Sequence, residues 1–154
     1  MDQGQGGARV VRAAPEHRAA WDGLYAGYAE FYRVSQTAEM RDRVWGWILD
    51  PGHEVGGLLA LDGGGRPIGL CHYRPFARPL SASVGGFIDD LFVAPEARGR
   101  GAVDALVAAV AEEGRAKGWT KLRWITAPDN LRAQRAYDRF AERTPWLTYD
   151  LPLA

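Results

Sequence analysis

The segment of residues 88–106 constrains the fold more than any other part of this chain. It begins as an apolar strand, passes through a basic, glycine-rich turn and continues as an amphipathic helix. The turn places Arg98 and Arg100 beside Gly99 and Gly101 at the point where the helix starts. A helix start offers unpaired backbone N–H groups and the positive end of the helix dipole. The segment therefore predicts an anion-binding loop that holds a phosphate-bearing ligand.

The glycines of this turn also have a simpler explanation. Glycine permits tight turns and close helix packing, so Gly99 and Gly101 alone do not establish a phosphate site. The turn lacks the third glycine of a dinucleotide-binding fingerprint and the Gly-Lys-Ser/Thr of a Walker loop. The arginines favour the phosphate site, because two cations that flank one glycine repel each other unless an anion neutralises them.

The composition indicates one domain without a nucleic-acid or membrane partner. A chain of 154 residues can form one domain with a substantial core, and we expect residues 1–7 to be a disordered tail and residues 8–154 to form that domain. The 19 basic and 19 acidic residues cancel, which leaves no overall field to attract a nucleic-acid backbone or an anionic membrane. With a single cysteine, neither an internal disulfide nor a multi-cysteine metal site is expected, and no metal is predicted. The lack of an apolar leader predicts a cytoplasmic protein.

Hydrophobic periodicity and turn residues predict elements in the order βααβββαβαβ. This order describes a mixed sheet flanked by helices. The predicted strands are residues 8–13, 55–61, 67–76, 84–93, 119–127 and 145–153, and the predicted helices are residues 15–32, 37–49, 101–117 and 131–142.

Two motifs on these elements resemble those of a known enzyme family. Residues 93–101, read as Val-x-Pro-x-x-Arg-Gly-x-Gly, are similar to the acetyl-CoA loop of the GCN5-related N-acetyltransferases, or GNAT family. Asn130, Ala133 and Tyr137, which open the next helix, are similar to the second motif of that family. The element order is also similar, so the resemblance covers nearly the whole chain.

A narrower resemblance and two departures refine this interpretation. Residues 137–146 are similar to the small histone- and polyamine-acetyltransferase-like members of the family. Val103 stands where glycine or alanine is usual, and its bulk lies beside the expected path of the pyrophosphate. Ala141 and Glu142 stand where Gly-Phe is usual, which changes how the last helix leads into the final strand.

The resemblance implies an α+β, GNAT-like fold with acetyl-CoA as the cosubstrate. The expected sheet is mixed, mostly antiparallel and of six to seven strands, with splayed central strands and about four helices. The acetyl-pantetheine arm would lie between residues 88–93 and 122–126, held by strand backbone, with the pyrophosphate on the N–H groups of residues 98–102. The residues assigned to acetyl-CoA by this resemblance are Leu91, Phe92, Val93, Arg98, Gly99, Arg100, Gly101, Ala102, Val103, Asn130 and Ala133.

Acetyl transfer to an amine needs a base, and two aspartates are candidates. An aliphatic amine with a pKa of about 10.4 is protonated at neutral pH, and neutralising it costs roughly 4 to 5 kcal/mol unless a base takes the proton. Asp89 and Asp90 are neighbours on a strand, so strict alternation points them to opposite faces. By alternation Asp89 shares a side with Leu91 and Val93. The resemblance to polyamine acetyltransferases, which have an acidic residue at the matching place, implies that Asp89 is the base and acts through water. Asp90 is the alternative base, because a bulge would invert the alternation. The pair could instead bind a cationic acceptor or cap a neighbouring element.

Other residues complete the predicted site. Tyr137 is expected to act as the acid toward the leaving thiolate or to pack in the core, and Asn130 to bind pantetheine or to cap its helix. His17 and His72 are expected to be structural or solvated, and Cys71 is expected to be a small buried residue and not a nucleophile.

The acceptor is expected to enter beside the aromatic residues of the first two helices. Tyr28, Tyr32 and Asp90 are the candidate acceptor-binding residues, and a cationic amine of a small molecule, polyamine or lysine side chain is the preferred acceptor. The predicted function is therefore an acetyl-CoA-dependent N-acetyltransferase that works by direct attack in a ternary complex. The alternatives are a non-catalytic acyl-CoA-binding or regulatory domain and a nucleotide-binding module. The narrower resemblance also implies a homodimer, formed through the last strand.

Overall fold

A computed structural model describes residues 7–154 of the chain. The tail prediction for residues 1–7 falls almost wholly outside this range. Two compact units are present, the first ending at Trp124 and the second running from Ile125 to Ala154.

A five-stranded sheet and three helices build the first unit, and a fourth helix lies in the second unit. The strands are β1 (Arg9–Arg12), β2 (Gly56–Leu61), β3 (Pro67–Arg78), β4 (Ser83–Val93) and β5 (Leu122–Arg123), and they are ordered β1-β2-β3-β4-β5 in the sheet. All neighbours are antiparallel except β4 and β5, which are parallel. The helices are α1 (Arg18–Phe31), α2 (Ala38–Leu49), α3 (Ala102–Ala116) and α4 (Leu131–Tyr137). The predicted mixed α+β architecture is confirmed.

Each face of the sheet is covered by helices whose apolar residues recur at helical spacing. On one face α3 buries Leu106, Val107 and Val110 against a core that includes Ile88 and Val93. On the other face α1 buries Trp21 and Tyr25, four residues apart, against a core that includes Leu59, Leu70 and Phe92, with Trp45 from α2. The sheet therefore has an α3 face and an α1/α2 face.

Local signals place the helix ends where the sequence predicts them. The Thr37 hydroxyl accepts a hydrogen bond from the Met40 N–H at 3.1 Å and caps α2. Gly118 follows the end of α3 with a φ of +75°, the left-handed conformation that glycine adopts without strain.

The prediction of six to seven strands is wrong for the described residues. Residues 145–153 alternate apolar and polar side chains, but they form no strand, because no described segment supplies the ladder of hydrogen bonds that a strand requires. The predicted strand 119–127 shrinks to Leu122–Arg123, and the predicted helix 131–142 ends at Tyr137. None of the helices in the described range is long and apolar enough to cross a membrane.

Candidate active site

A β-bulge in β4 places the two aspartates. In the pairing of β3 with β4, His72 lies opposite Asp90 and Tyr73 lies opposite Ile88. Asp89 is therefore an extra residue with no residue of β3 directly opposite it in the ladder, which is the arrangement of a bulge.

The bulge brings both carboxylates to one face of the sheet. Asp89 contacts Arg74 and Asp90 contacts His72. Arg74 and His72 are two residues apart on β3, so their side chains lie on the same face. The predictions that Asp89 and Asp90 point to opposite faces and that Asp89 shares a side with Leu91 and Val93 are thus wrong, because the strand contains the bulge that was the stated exception to regular alternation. The shared face is the α1/α2 face, since His72 also contacts Trp21 of α1.

A buried chain of hydrogen bonds fixes Asp90. The Trp21 indole Nε1–H donates to His72 Nε2 at 2.9 Å. An indole nitrogen only donates, so His72 Nε2 is an acceptor, and the ring proton lies on Nδ1. His72 Nδ1 then donates to Asp90 Oδ2 at 2.8 Å, and the Tyr25 hydroxyl donates to the same oxygen at 2.9 Å. Trp21 and His72 are 1% and 2% exposed, so the Trp21–His72 part of this chain is sealed from water.

The two aspartates consequently differ in proton affinity. Burial alone would raise the pKa of Asp90, but hydrogen bonds from His72 and Tyr25 outweigh that effect and hold its pKa below the usual range. Burial raises the pKa of Asp89 above its usual range; the negative charge of Asp90 adds to this shift, and Arg74 opposes it. Asp89 is also more accessible, with 34% of its side chain exposed against 18% for Asp90.

The basic turn after β4 has the geometry of an anion-binding loop. Gly99 and Gly101 have φ angles of +81° and +77°, and a Cβ added to either glycine would meet nothing within 4 Å. The first hydrogen bond of α3 runs from the Ala105 N–H to the Gly101 carbonyl, so the N–H groups of Ala102 and Val103 lie at the open end of the helix. A left-handed, unobstructed backbone at a helix start fits a pyrophosphate. The Arg98 N–H donates a long hydrogen bond of 3.4 Å to the Pro95 carbonyl within the loop, so it is less available to an anion than the N–H groups of Ala102 and Val103.

Side chains around the loop turn toward α1. The guanidinium of Arg98 lies 4.9 Å from the centre of the Phe31 ring. Arg100 lines a cleft of about 830 Å³ between α1, the β2–β3 turn and the segment after β4, together with Asp62 and Glu96. Val103 packs against the core on the α3 face, so its extra bulk is largely absorbed by that core.

The edge of β4 nearest β5 is only partly paired. Within the first unit β5 pairs with β4 at Gly86 and Phe87 alone, whereas β4 continues to Val93. Leu91 and Val93 pack on the α3 face, and Phe92 packs on the α1/α2 face. This early end of the pairing is the local geometry expected of the splayed strands.

The candidate acceptor residues of α1 form a row of aromatic rings. The Tyr28 ring lies 4.9 Å from that of Tyr32 and 5.5 Å, edge to face, from that of Phe92. Tyr32 is 40% exposed, and Tyr28 is half-buried and lies 6.1 Å from Tyr25, which binds Asp90. The row therefore leads from the surface toward the aspartates.

In the second unit, Asn130 begins α4 as its cap. Its side-chain oxygen accepts from the Ala133 N–H at 3.3 Å. The Tyr137 ring lies 6.3 Å from the Phe140 ring, edge to face. Asn130 was predicted either to bind pantetheine or to cap its helix, and this hydrogen bond is the cap.

The sequence analysis missed the roles of His72, Trp21 and Arg74. A lone histidine in a strand carries no signal of its partners, and Trp21 is 51 residues away from it. The signal that could have indicated the chain is the spacing of Trp21 and Tyr25 on one face of α1.

Taken together, the fold and the loop define a transferase that uses an acyl-CoA. Residues 21–141 match the sequence model of the family described as "Acetyltransferase (GNAT) family". The protein belongs to this family and is an acetyl-CoA-dependent N-acetyltransferase.

Relatives and solved structures agree with this assignment. The D-amino-acid N-acetyltransferase HPA3 of Saccharomyces cerevisiae (strain ATCC 204508 / S288c) is 28% identical over 142 residues, which are 91% of this chain and 88% of HPA3. The crystal structure of a probable acetyltransferase is 30% identical, with a TM-score of 0.82 over 95% of this chain and 98% of that chain. The aminoglycoside N-acetyltransferase AAC(6')-Iy, solved in complex with CoA, shares the fold, with 20% identity and a TM-score of 0.81 over 100% of this chain and 99% of that chain.

Proposed function

We propose that the protein transfers the acetyl group of acetyl-CoA to a primary amine of a small molecule, with Asp89 as the base. The observation that carries this proposal is the bulge, which sets two carboxylates of unequal proton affinity on one face beside the unpaired edge of β4. The relative HPA3 is by its name an acetyltransferase for D-amino acids, which supports a small-molecule amine.

Asp89 suits the role of base better than Asp90 does. Asp90 Oδ2 already accepts hydrogen bonds from His72 and Tyr25, so a further proton on it would break existing contacts. Asp89 has a raised pKa and an exposed carboxylate, and a general base works best when its pKa approaches the working pH.

Asp90 then acts through its charge. The buried chain from Trp21 keeps Asp90 ionised, and its negative charge next to Asp89 raises the proton affinity of the base. Two carboxylates in different environments thereby take different roles.

The acetyl group passes directly from the sulfur of acetyl-CoA to the amine nitrogen. The amine nitrogen bonds to the thioester carbonyl carbon, the carbon–sulfur bond breaks, and the sulfur leaves as a thiolate. The amine proton passes to Asp89, directly or through one water, and the thiolate takes a proton from Tyr137. The loop around Gly99 and Gly101 binds the pyrophosphate through backbone N–H groups.

Two substitutions test these assignments. Asp89→Asn and Tyr137→Phe are each expected to lower kcat by about 10²- to 10⁴-fold, the usual range for losing an acid or base, while CoA binding by calorimetry stays unchanged. Asp42→Asn is the matched control, because Asp42 is an exposed carboxylate paired with Arg18 on the helical surface. If Asp89→Asn retains full activity while Asp90→Asn loses it, Asp90 is the base and the assignment is wrong.

The pH profile of kcat separates the two aspartates further. Activity falls as the pH drops through the pKa of Asp89, because the protonated base cannot accept a proton. Asp90→Asn removes the charge that raises this pKa, so the acid limb of its residual activity moves to lower pH. A limb that moves to higher pH would contradict the electrostatic role of Asp90.

A further inference from the structure

Asp89 is half of an ion pair that matches a zwitterion. Arg74 Nε donates to Asp89 Oδ2 at 3.0 Å, and Arg74 Nη2 donates to Asp89 Oδ1 at 3.3 Å. Both side chains are about one-third exposed, at 36% for Arg74 and 34% for Asp89. The proposed base is therefore flanked by a cation that solvent, and hence an acceptor, can reach.

A second arginine and two phenylalanines extend this surface. The guanidinium of Arg74 lies 5.1 Å from the centre of the Phe87 ring, and that of Arg123 lies 5.6 Å from the centre of the Phe76 ring. The two rings meet edge to face at 6.2 Å. Arg74 and Phe76 are two residues apart on β3, so this patch lies on the same face as the aspartates. We call Arg74, Phe76, Phe87 and Arg123 the arginine–phenylalanine patch.

The charges of the patch select against one acceptor class and for another. A polyamine carries only positive charges, and it is repelled by Arg74 beside the base and by Arg123 further along the patch. An α-amino acid carries an ammonium and a carboxylate on one carbon, so its binding site needs an anion and a cation a few ångströms apart. Asp89 and Arg74 meet that requirement, and the phenylalanine rings offer an apolar surface to a side chain.

On the basis of the proposed function, we propose that Arg74, supported by Arg123, binds a carboxylate that the acceptor carries next to its amine. The acceptor replaces the Arg74–Asp89 pair with two pairs of its own, ammonium to Asp89 and carboxylate to Arg74, so no charge is left without a partner. Arg74 can bind the carboxylate in a bidentate manner, which adds directional specificity.

The test compares phenylalanine with phenethylamine, which differ only in the carboxylate, and adds spermidine as a polyamine. Release of free thiol from acetyl-CoA is measured with D- and L-phenylalanine, with phenethylamine and with spermidine. One charge-assisted contact corresponds to about 10- to 100-fold, so kcat/KM for at least one phenylalanine enantiomer is expected to exceed that for phenethylamine by at least about tenfold. Arg74→Gln should reduce that ratio by about tenfold or more, and Arg123→Gln should reduce it less.

Arg12→Gln is the matched control, because Arg12 is also an exposed arginine paired with a carboxylate, that of Glu113, but lies on β1. It should leave the ratio unchanged. Equal kcat/KM values for phenylalanine and phenethylamine, a preference for spermidine, or an unchanged ratio in Arg74→Gln would overturn the inference while leaving the proposed function intact. Failure to acetylate any primary amine would instead contradict the proposed function.

Discussion

Replacing Asp90 by asparagine tests whether the buried chain from Trp21 holds a carboxylate anion. The asparagine side chain has nearly the same shape as that of aspartate, and its amide oxygen can occupy the place of Oδ2 and keep the contacts to His72 and Tyr25. What is lost is the charge on the acceptor. A hydrogen bond to a charged group contributes about 1.5–3 kcal/mol, and a neutral one about 0.5–1.5 kcal/mol, so two bonds lose roughly 2 kcal/mol of the free energy of unfolding near neutral pH.

The contribution of Asp90 to the free energy of unfolding depends on pH. The pKa of Asp90 is lowered in the folded state, so its contribution to stability is present above the unfolded pKa of about 3.9 and is lost as the pH falls through the folded pKa. The difference between wild type and Asp90→Asn should therefore be largest near neutral pH and shrink in acid. Urea unfolding followed by fluorescence of the six tryptophans measures it at each pH.

Asp138→Asn is the control for this experiment. The pKa of Asp138 is also lowered, by Arg143, but this pair is exposed. Exposed pairs contribute little to stability, so the urea midpoint should barely move. A loss in Asp90→Asn that is the same in acid as at neutral pH would refute the reasoning, because it would come from shape and not from charge.

Three further predictions concern the loop, α4 and the last residues. Gly101→Ala should raise KM for acetyl-CoA and cost about 1–2 kcal/mol of stability, because its φ of +77° is strained for alanine, whereas Gly63→Ala, in open space without a positive φ, should change neither quantity. Asn130→Ala should lower the free energy of unfolding by about 1 kcal/mol through loss of the cap, seen as faster amide exchange in α4; unchanged exchange would contradict this role. The exposed apolar residues of 145–154 alternate as in a strand that pairs with a second copy of the chain. We therefore expect the wild type to sediment as a dimer, and the chain without residues 145–154 to sediment as a monomer. A monomeric wild type would contradict this prediction.

The parts of the fold that could be predicted from sequence are those fixed by local chemistry. The Thr37 cap and Gly118 give helix ends within a few residues of their position, because a hydroxyl acceptor and a left-handed glycine act on their own turns. Gly99 and Gly101 predict the loop for the same reason. The strands 119–127 and 145–153 depend on neighbours distant in the chain, and the structure shortens the first to Leu122–Arg123 and forms no strand in the second.

The side-chain directions of Asp89 and Asp90 depend on how β4 pairs with β3, and the local sequence pattern does not contain that register. Strict alternation over β4 assigns Asp89 and Asp90 to opposite faces, but one extra residue in β4 relative to β3 changes that assignment. His72 shows the same limit, since its two partners, Trp21 and Asp90, come from α1 and β4.

The bulge also explains how two carboxylates can share a face without destabilising the sheet. Neighbouring like charges repel, which disfavours the ionised form of both groups. Here each has a separate partner set, Arg74 for Asp89 and the His72–Tyr25 pair for Asp90, and only the second set is buried. The arrangement leaves one carboxylate locked as an anion and the other open to solvent beside an exchangeable arginine. In the mechanism that we propose, that asymmetry allows Asp89 to exchange both its proton and its ion-pair partner during turnover, while Asp90 keeps its contacts.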